Sequence, residues 1–423
     1  MTISKLNLHP DLKRIFIELG FSELTDIQRK AIPTILEGKD VIGQSQTGSG
    51  KTAAFGFPIL ERTVHGQGIQ ALIIVPTREL CEQVTTEIRK FSKYKKMIIT
   101  SVYGGVSIDP QIHNLRHTDI VIATPGRMLD HIHRRTVDLT KVKTLVLDEA
   151  DKMFEMGFVD DIKDIIYQTP KERQTLLFSA TMSNEVHDIA IHYMKHPEKI
   201  KVQSYVDETK LAQFYYPVDS RGKFSLLVHI LKQEQHGLTI IFCATRDRVD
   251  AIERDLYNLG IKSRALHGGL SQGRRKEAIE LFHGNKIKIL VASDVAARGL
   301  DIKNVECIIN YDLPKTSKEY IHRIGRTARA GKEGKVISIL SEFDHDNFRM
   351  ILRDNSLNIQ KLDTPDFDRI KTAPRQFRQS SGFKPKAGVR HRPRRTYGAD
   401  KPNFNRNNRN STAPRRFNRS FTR

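Results

Sequence analysis

The sequence predicts two tandem α/β domains, each a doubly wound parallel sheet, followed by a C-terminal tail without a core. Short apolar runs alternate with helix-length stretches, the alternation restarts after about residue 210, and the excess positive charge is confined to the end of the chain. Each run is bounded by polar or turn residues, as is typical of buried parallel strands in a βαβ series. The predicted strands include residues 71–75, 120–123, 145–147 and 176–178, and then 239–242, 287–292, 305–309 and 336–340.

The chain of 423 residues is long enough for two domains of ordinary size, each with its own core. We predict an N-terminal segment at 1–30, a first domain at 31–205, a linker at 206–211, a second domain at 212–370 and a tail at 371–423. In open sheets of this kind, ligands bind beyond the carboxyl ends of the strands. The chemically unusual residues of this chain cluster at those positions.

The tail accounts for most of the formal net charge of +21. It contains 16 Lys and Arg residues and one acidic residue, Asp400. A cationic segment points to a polyanion, with nucleic acid first and an anionic membrane surface second. The tail has no apolar periodicity, so we expect disorder. Aromatic residues lie singly between its charges, which favours an RNA tether; a solvating tail without a partner is the alternative. The aromatic residues of the tail are Phe377, Phe383, Tyr397, Phe404, Phe417 and Phe421.

Membrane, secreted and zinc-binding classes are disfavoured. No apolar run approaches the roughly 20 residues of a spanning helix, and the N-terminus has no apolar signal segment. Cys81, Cys243 and Cys307 are odd in number and far apart, which predicts neither a disulfide framework nor a zinc site. We therefore expect no membrane association, buried thiols and a reducing cytoplasmic location.

A candidate phosphate loop follows the apolar pair Val41 and Ile42. Its glycines let backbone amides wrap a phosphate, and the following helix N-terminus adds a positive dipole. Lys51 would reach the outer phosphates, and the Thr52 hydroxyl would bind Mg²⁺. The alternative is a Gly-rich turn, because Ser45 stands where the strict pattern has Gly. The candidate nucleotide-binding residues are Ser45, Gln46, Thr47, Gly48, Ser49, Gly50, Lys51 and Thr52.

A candidate catalytic centre lies at the end of the predicted strand 145–147. Asp148 suits the Mg²⁺ shell, and Glu149 can orient or deprotonate an attacking water. An acidic tetrapeptide alone is usually a solvated turn. That alternative weakens when the carboxylates follow a buried strand roughly 100 residues after a phosphate loop.

Residues 45–52 together with Asp-Glu-Ala-Asp at 148–151 resemble the first two motifs of the DEAD-box RNA helicases. The resemblance extends from about residue 3 to residue 331 and implies two RecA-like domains, ATP with Mg²⁺, and RNA as partner. It implies that Phe21 and Gln28 read adenine, since an amide has both a donor and an acceptor and can match both functions on one adenine edge. It also implies that Asp151, Ser179 and Thr181 link the ATP state to domain closure, whereas an N-cap is the alternative for the Ser-Ala-Thr stretch.

The same resemblance implies that the second domain provides the other side of the nucleotide site. Residues 322–329 are similar to the last family motif, which implies that Arg326 and Arg329 act as fingers on the γ-phosphate and that His322 takes part in coupling. A finger from a separate domain makes hydrolysis depend on closure. Asp301 would contact the ribose, and Arg298 the closed interface. A solvated basic face is the alternative.

Further matching positions predict an RNA track that grips phosphates without reading bases. Any one of them alone would be an ordinary loop residue, and glycines often serve only turns. The resemblance implies 2′-OH contacts that discriminate RNA from DNA. The predicted RNA-binding residues are Arg78, Gly105, Thr124, Arg127, Gly268, Gln272, Arg275 and Ser293.

These features favour an RNA-dependent ATPase that separates short duplexes by bending a strand between closing domains. An ATP-gated RNA clamp or an annealing chaperone would use the same motifs and stays open. A DNA helicase of related architecture is disfavoured by the residues at 148–151 and 179–181. The pathway stays open as well, with ribosome-assembly and RNA-decay complexes as the partner classes considered.

Overall fold

The computed structural model describes residues 6–21, 23–45, 48–202, 211–233, 237–297, 305–327, 333–354 and 357–370, with the side chains of Val295 and Ala297 excepted. All of these residues lie in one compact unit. Several predicted residues and segments fall outside the described ranges: Gln46, Thr47, Arg298, Asp301, Arg329, the linker residues 206–210 and the tail 371–423.

The first half of the chain alternates helices and short strands. Its elements are α1 Pro10–Glu18, α2 Asp26–Leu36, β1 Val41–Gln44, α3 Lys51–Arg62, β2 Ala71–Ile74, α4 Arg78–Phe91, β3 Ile99–Val102, α5 Asp109–Leu115, β4 Ile120–Ala123, α6 Pro125–His133, β5 Thr144–Asp148, α7 Ala150–Glu155, α8 Val159–Tyr167, β6 Gln174–Ser179, α9 Asn184–Tyr193 and β7 Glu198–Lys201.

The second half repeats the alternation. Its elements are β8 Leu211–Pro217, α10 Lys223–Gln233, β9 Leu238–Cys243, α11 Arg246–Asn258, β10 Ser263–Leu266, α12 Gln272–His283, β11 Ile289–Ser293, α13 Asp294–Ala297, β12 Val305–Asn310, α14 Ser317–Ile324, β13 Gly334–Leu340, a 3-10 turn at Glu342–Asp344, α15 His345–Ile351 and β14 Gln360–Lys361.

Each half forms one parallel sheet, and the two sheets have the same strand order. The first sheet runs β3-β4-β2-β5-β6-β1-β7, and the second runs β10-β11-β9-β12-β13-β8-β14. Counted along the chain within each half, the strands occupy identical positions. The structure therefore confirms the predicted fold class of two doubly wound α/β domains.

Both faces of each sheet are buried, which explains why the strands read as continuous apolar runs. Ile73 of β2 packs into one core cluster and its neighbour Leu72 into the other, because successive strand residues point to opposite faces. In the second sheet, Ile240 and Ile241 divide between two clusters in the same way. Helices cover both faces of each sheet, so the strands do not need to alternate polar with apolar residues.

The predicted strand positions are confirmed, and one predicted boundary is wrong. Leu211, which we assigned to the linker, is the first residue of β8, pairs with Gly334 and is buried. Its burial in the second core holds it in the sheet. The described part of the N-terminal segment joins the core of the first sheet through Leu12, Ile15 and Phe16.

The cysteine and membrane expectations can be compared with the structure. Cys81, Cys243 and Cys307 are all buried free thiols. Burial raises the pKa of Cys81 to about 12, as expected for a thiol that packs like a small apolar group. No helix within the described ranges is long and apolar enough to cross a membrane.

Candidate nucleotide and RNA site

The loop between β1 and α3 is described at Ser45 and at residues 48–50, where its glycines lie. Gly48 and Gly50 have φ values of 84° and 93°, a left-handed conformation that glycine adopts without strain. A Cβ at Gly50 would also lie 2.5 Å from Gln28 Nε2, so a larger residue would displace the loop. Lys51 is the first residue of α3, is buried, and donates to the carbonyl of Ser45 at 3.3 Å.

The acidic end of β5 meets this loop because β5 lies two places from β1 in the sheet. Asp148 is the last residue of β5 and is buried, with Oδ1 3.9 Å from Lys51 Nζ. Burial raises the pKa of Asp148 to about 6, although Lys51 acts in the opposite direction. Thr52 follows Lys51 on the first turn of α3. The structure thus brings together Lys51 and Asp148, which are far apart in sequence.

Glu149 adopts a left-handed conformation, with φ 54° and ψ 46°, at the junction between β5 and α7. Its carboxylate oxygen Oε2 lies 2.8 Å from the ammonium of Lys152, and both side chains are buried. Burial alone would raise the pKa of Glu149, but Lys152, Lys51 and Arg326 outweigh burial and lower it to about 2. Sequence reasoning missed Lys152; a lysine on the buried turn after a catalytic carboxylate was the available signal.

Gln28 is completely buried and ties α2 to the phosphate loop. Its Oε1 accepts from the Thr25 N–H at 3.1 Å, and its Nε2 donates to the Gly50 carbonyl at 3.2 Å. One N–H and one lone pair remain for a base, as the amide inventory allows. The ring of Phe21 packs against the core ring of Phe16, with centroids 4.7 Å apart.

Asp151, Ser179 and Thr181 form one hydrogen-bonded group. Asp151 Oδ2 accepts from both the N–H and the hydroxyl of Thr181, each at 2.9 Å. The Ser179 hydroxyl donates to the Thr181 carbonyl at 2.7 Å and accepts from the Asp151 N–H at 3.3 Å. The loop after β6 is thereby attached to α7, the helix that follows Glu149.

The second domain contributes cationic groups to the same place. Arg326 is buried and lies close enough to Glu149 to lower its pKa. A cavity of about 310 Å³ is lined by residues of both halves, including Thr181, His322 and Arg326. Beside it, Lys318 Nζ lies 2.5 Å from Glu155 Oε1.

Arg323 has a structural role that sequence reasoning did not assign. Its guanidinium pairs with both oxygens of Asp294, at 2.6 and 2.7 Å, and donates to Asn310 at 2.9 Å and to the Asp312 carbonyl at 2.7 Å. A bidentate arginine with four such hydrogen bonds fixes an element rigidly. Arg323 therefore orients α14, which precedes Arg326.

A cleft of about 500 Å³ collects five of the predicted RNA-binding residues. Arg78 packs over Gly105, where any Cβ would collide with the guanidinium. Arg127 donates to the Val106 carbonyl at 3.1 Å, which supports the same loop. Both domains line the cleft; its predicted members are Arg78, Thr124, Arg127, Gly268 and Arg275.

Arg275 and Gln272 contact the first domain directly. Arg275 Nη2 lies 2.9 Å from Glu79 Oε1, and Gln272 Nε2 donates to the same oxygen at 3.5 Å. Sequence reasoning assigned both residues to RNA and did not single out Glu79. Ser293, the remaining prediction in this group, is the half-buried last residue of β11.

The second sheet contains a counterpart of the Lys51 arrangement. Lys223 begins α10 directly after Gly222, just as Lys51 begins α3 after Gly50, and β8 and β1 hold the same place in their sheets. Lys223 Nζ lies 3.7 Å from Asp312, but it also donates to Asp344 at 2.9 Å. The chain therefore supplies an anion for this second lysine from within.

Family models match both domains. Residues 25–189 match the model described as DEAD/DEAH box helicase, and residues 222–331 match the model described as helicase conserved C-terminal domain. The chain is 44% identical over 368 residues to the ATP-dependent RNA helicase CshA of Listeria monocytogenes, an alignment that covers 86% of this chain and 71% of the relative. It is 42% identical over 371 residues to CshA of Bacillus subtilis, covering 87% and 75%.

Solved structures with bound RNA have the same fold. S. cerevisiae Dbp5 bound to RNA and ADP BeF3 matches with a TM-score of 0.78 and 30% identity, over 86% of this chain and 96% of that one. Mss116p bound to single-stranded RNA and AMP-PNP matches with a TM-score of 0.77 and 29% identity, over 86% and 80%. The motifs, the paired sheets and these relatives together show that the chain belongs to the DEAD-box family of ATP-dependent RNA helicases.

Proposed function

We propose that the residues brought together between the two sheets hydrolyse ATP when RNA draws the domains closed, and that closure separates short RNA duplexes locally. Lys51 binds the outer phosphates, Glu149 activates water, and Arg326 and Arg329 stabilise the γ-phosphate. The observation that carries this proposal is the cavity that Arg326 and His322 of the second domain line together with Thr181 of the first. Phosphoryl transfer depends on such positioning and charge stabilisation.

The chemistry follows from the position of each group. Glu149 is held as a carboxylate, so it can accept a proton from water. Arg326 belongs to the second domain, so its charge reaches the reacting phosphate only in the closed state. The hydrogen bonds among Asp151, Ser179 and Thr181 support a route by which the loop after β6 senses the catalytic helix. His322 and Arg298 complete the proposed coupling group.

The donor set fits Mg²⁺. Asp148 is a buried carboxylate beside the phosphate loop, and the Thr52 hydroxyl is one residue beyond Lys51. Within the described ranges there is no cluster of three or more His, Cys, Asp or Glu that could hold a metal. The carboxylate of Asp148 and the hydroxyl of Thr52 suit Mg²⁺, which typically takes one or two protein oxygens together with phosphates and water. Bound there, the ion would neutralise charge on the phosphates.

The nucleotide contacts extend to the base and the ribose. Gln28 and Phe21 recognise adenine, Asp301 contacts the ribose, and residues 45–50 wrap the phosphates. Gln28 supports this role through its bond to Gly50, since the adenine reader and the phosphate loop then move together.

The RNA track grips the backbone and tolerates most sequences. Arg78, Arg127 and the loop glycines supply the cations and close approaches that phosphates require. Both domains line the cleft, so bound RNA favours their closed arrangement. Binding energy from closure can then bend one strand of a duplex.

Domain boundaries, location and partners follow by the same reasoning. We infer a nucleotide-binding domain at 31–205 preceded by the segment 1–30, a C-terminal helicase domain from 211 to 370, and an RNA tether at 371–423. Buried free thiols support a cytoplasmic location. Ribosome-assembly or RNA-decay complexes are the proposed partner classes.

One experiment tests the proposal. ATP hydrolysis is measured with single-stranded RNA, with DNA of the same sequence and without nucleic acid, next to strand-separation and annealing assays on a short RNA duplex. We expect stimulation by RNA over DNA and ATP-dependent separation. Equal stimulation by DNA would contradict the RNA assignment. Stimulated hydrolysis with annealing but no separation would favour the clamp or chaperone.

A further inference from the structure

Lys152 is bound to Glu149 through both its side chain and its backbone. It lies on the first turn of α7, and its ammonium is 2.8 Å from Glu149 Oε2. Its backbone N–H donates to the Glu149 carbonyl at 3.0 Å. The exposed fraction of the two side chains is 2% for Lys152 and 3% for Glu149. The ion pair with Lys152 is made through Oε2 of the carboxylate.

A buried ammonium is unusual, because removing a charge from water costs free energy unless the charge is paired with good geometry. An apolar side chain of similar length, such as methionine, would fill the same space at lower cost. What the ammonium adds is a fixed orientation for the carboxylate. Glu149 needs this support, since its left-handed backbone is disfavoured for a residue with a Cβ and persists only when its surroundings hold it.

The other cations near Glu149 have different proposed targets. Lys51 and Arg326 both act on its pKa, but the proposed function assigns both to phosphate. Lys152 is directed at the carboxylate itself. When a nucleotide engages the first two, Lys152 still lies against the Glu149 carboxylate.

We propose that Lys152 is a positioning residue for hydrolysis: its ammonium, held against Oε2, fixes the orientation of the Glu149 carboxylate toward the attacking water. This inference rests on the proposed role of Glu149. In the reaction, an O–H bond of water breaks and its proton passes to the Glu149 carboxylate, while the water oxygen bonds to the γ-phosphorus. The bond between that phosphorus and the bridging oxygen breaks, and its electron pair leaves with ADP.

The test begins with Lys152→Met, which removes the ammonium and keeps most of the volume. We expect kcat for RNA-stimulated ATP hydrolysis to fall about 100-fold, the loss typical of a misplaced catalytic group. The KM for RNA and the Kd for ATP, measured by fluorescent nucleotide titration, should stay within about twofold. Lys152→Arg, which keeps a cation, should restore most of kcat.

A double-mutant cycle separates positioning from other roles. In the background of Glu149→Gln there is no carboxylate to orient, so adding Lys152→Met should leave kcat at the value of Glu149→Gln alone. The double variant should also melt above Lys152→Met, since no uncompensated carboxylate is left buried. The matched control is Lys163→Met, which removes a lysine from an exposed pair with Asp160, also three residues apart; its kinetics should equal those of the wild type.

Each outcome supports or overturns the positioning role of Lys152. A wild-type kcat for Lys152→Met would overturn the inference, and so would the same loss in the Glu149→Gln background. A weakened Kd for ATP would make Lys152 a phosphate contact instead. If Glu149→Gln itself hydrolyses normally, the proposed function fails separately. Should Lys152→Met not fold, Lys152→Arg is compared with Lys152→Gln, and equal kcat values in that pair would overturn the inference.

Discussion

Arg275 and Glu79 form an ion pair between the two domains, with Arg275 Nη2 2.9 Å from Glu79 Oε1. The side chains are 11% and 5% exposed, so solvent screens the pair little. Both residues line the cleft that also holds the predicted RNA contacts. The pair therefore connects domain closure to the place where RNA is proposed to bind.

Breaking this pair should weaken the closed state. We expect Glu79→Gln and Arg275→Ala each to reduce apparent RNA affinity in the presence of ATP about 30-fold, which corresponds to about 2 kcal/mol for a buried ion pair that loses one partner. Fluorescence anisotropy with a labelled single strand measures this. If Arg275→Ala weakens RNA binding while Glu79→Gln does not, Arg275 acts mainly on RNA, as the sequence alone suggested.

Glu149→Gln should stop turnover while ATP and RNA still bind, because only the water-activating carboxylate is removed. The absence of a catalytic base typically costs about 10²–10⁴ in rate. Steady-state hydrolysis and nucleotide titration measure the two effects separately. Lys51→Ala provides the contrast, since it should weaken nucleotide binding itself. Near-normal hydrolysis by Glu149→Gln would contradict the assignment.

Arg326→Ala and Arg323→Ala should fail in different ways. Arg326→Ala should lower hydrolysis roughly 10³-fold with unchanged ATP affinity in the absence of RNA, as for an arginine finger. Arg323→Ala leaves Asp294 and Asn310 without their partner and should lower stability by about 3–5 kcal/mol. Thermal melting and ATPase assays on both variants check this. A normal melting temperature for Arg323→Ala would contradict its structural role.

Gln28→Glu should weaken ATP binding about tenfold. The new carboxylate keeps an acceptor for the Thr25 N–H but sets a second acceptor against the Gly50 carbonyl, and an unsatisfied buried acceptor costs about 1–3 kcal/mol. Gln28→Ala should also reduce the preference for ATP over GTP. Titrations with both nucleotides measure these effects, with the exposed Gln67→Glu as control. Unchanged affinities would mean that Gln28 serves only to cap α2.

Removal of residues 371–423 should raise the KM for RNA while ATP hydrolysis without RNA stays the same. Strand separation should fall most at low RNA concentration, because the tail is proposed to act as a tether. For single strands, the plot of log affinity against log salt should flatten by about 0.7 for every phosphate that the tail neutralises. Affinity measured across a salt series provides the slope. An identical slope and affinity after truncation would show that the tail does not bind RNA.

The sequence best predicted those features whose chemistry requires particular residues at a fixed spacing. The phosphate loop, the carboxylates at 148–151 and the apolar strands could all be predicted because each depends on local spacing. The strand predictions at 71–75 and 120–123 agree closely with β2 and β4. The pattern of apolar residues along the chain indicates which segments are buried. The fold class can therefore be predicted without knowledge of long-range contacts.

Sequence by itself determined the two α/β domains, the candidate nucleotide residues and the basic tail. Only the tertiary structure decided which side chains meet: Lys152 on Glu149, Arg323 on Asp294, and Asp344 on Lys223. The physical reason is that spacing along a helix or strand specifies which face a residue occupies, whereas ion-pair partners depend on strand order and on how helices pack. Arg323 and Arg326 are three residues apart in one motif, yet the first is held within its own domain and the second lies near Glu149 in the other.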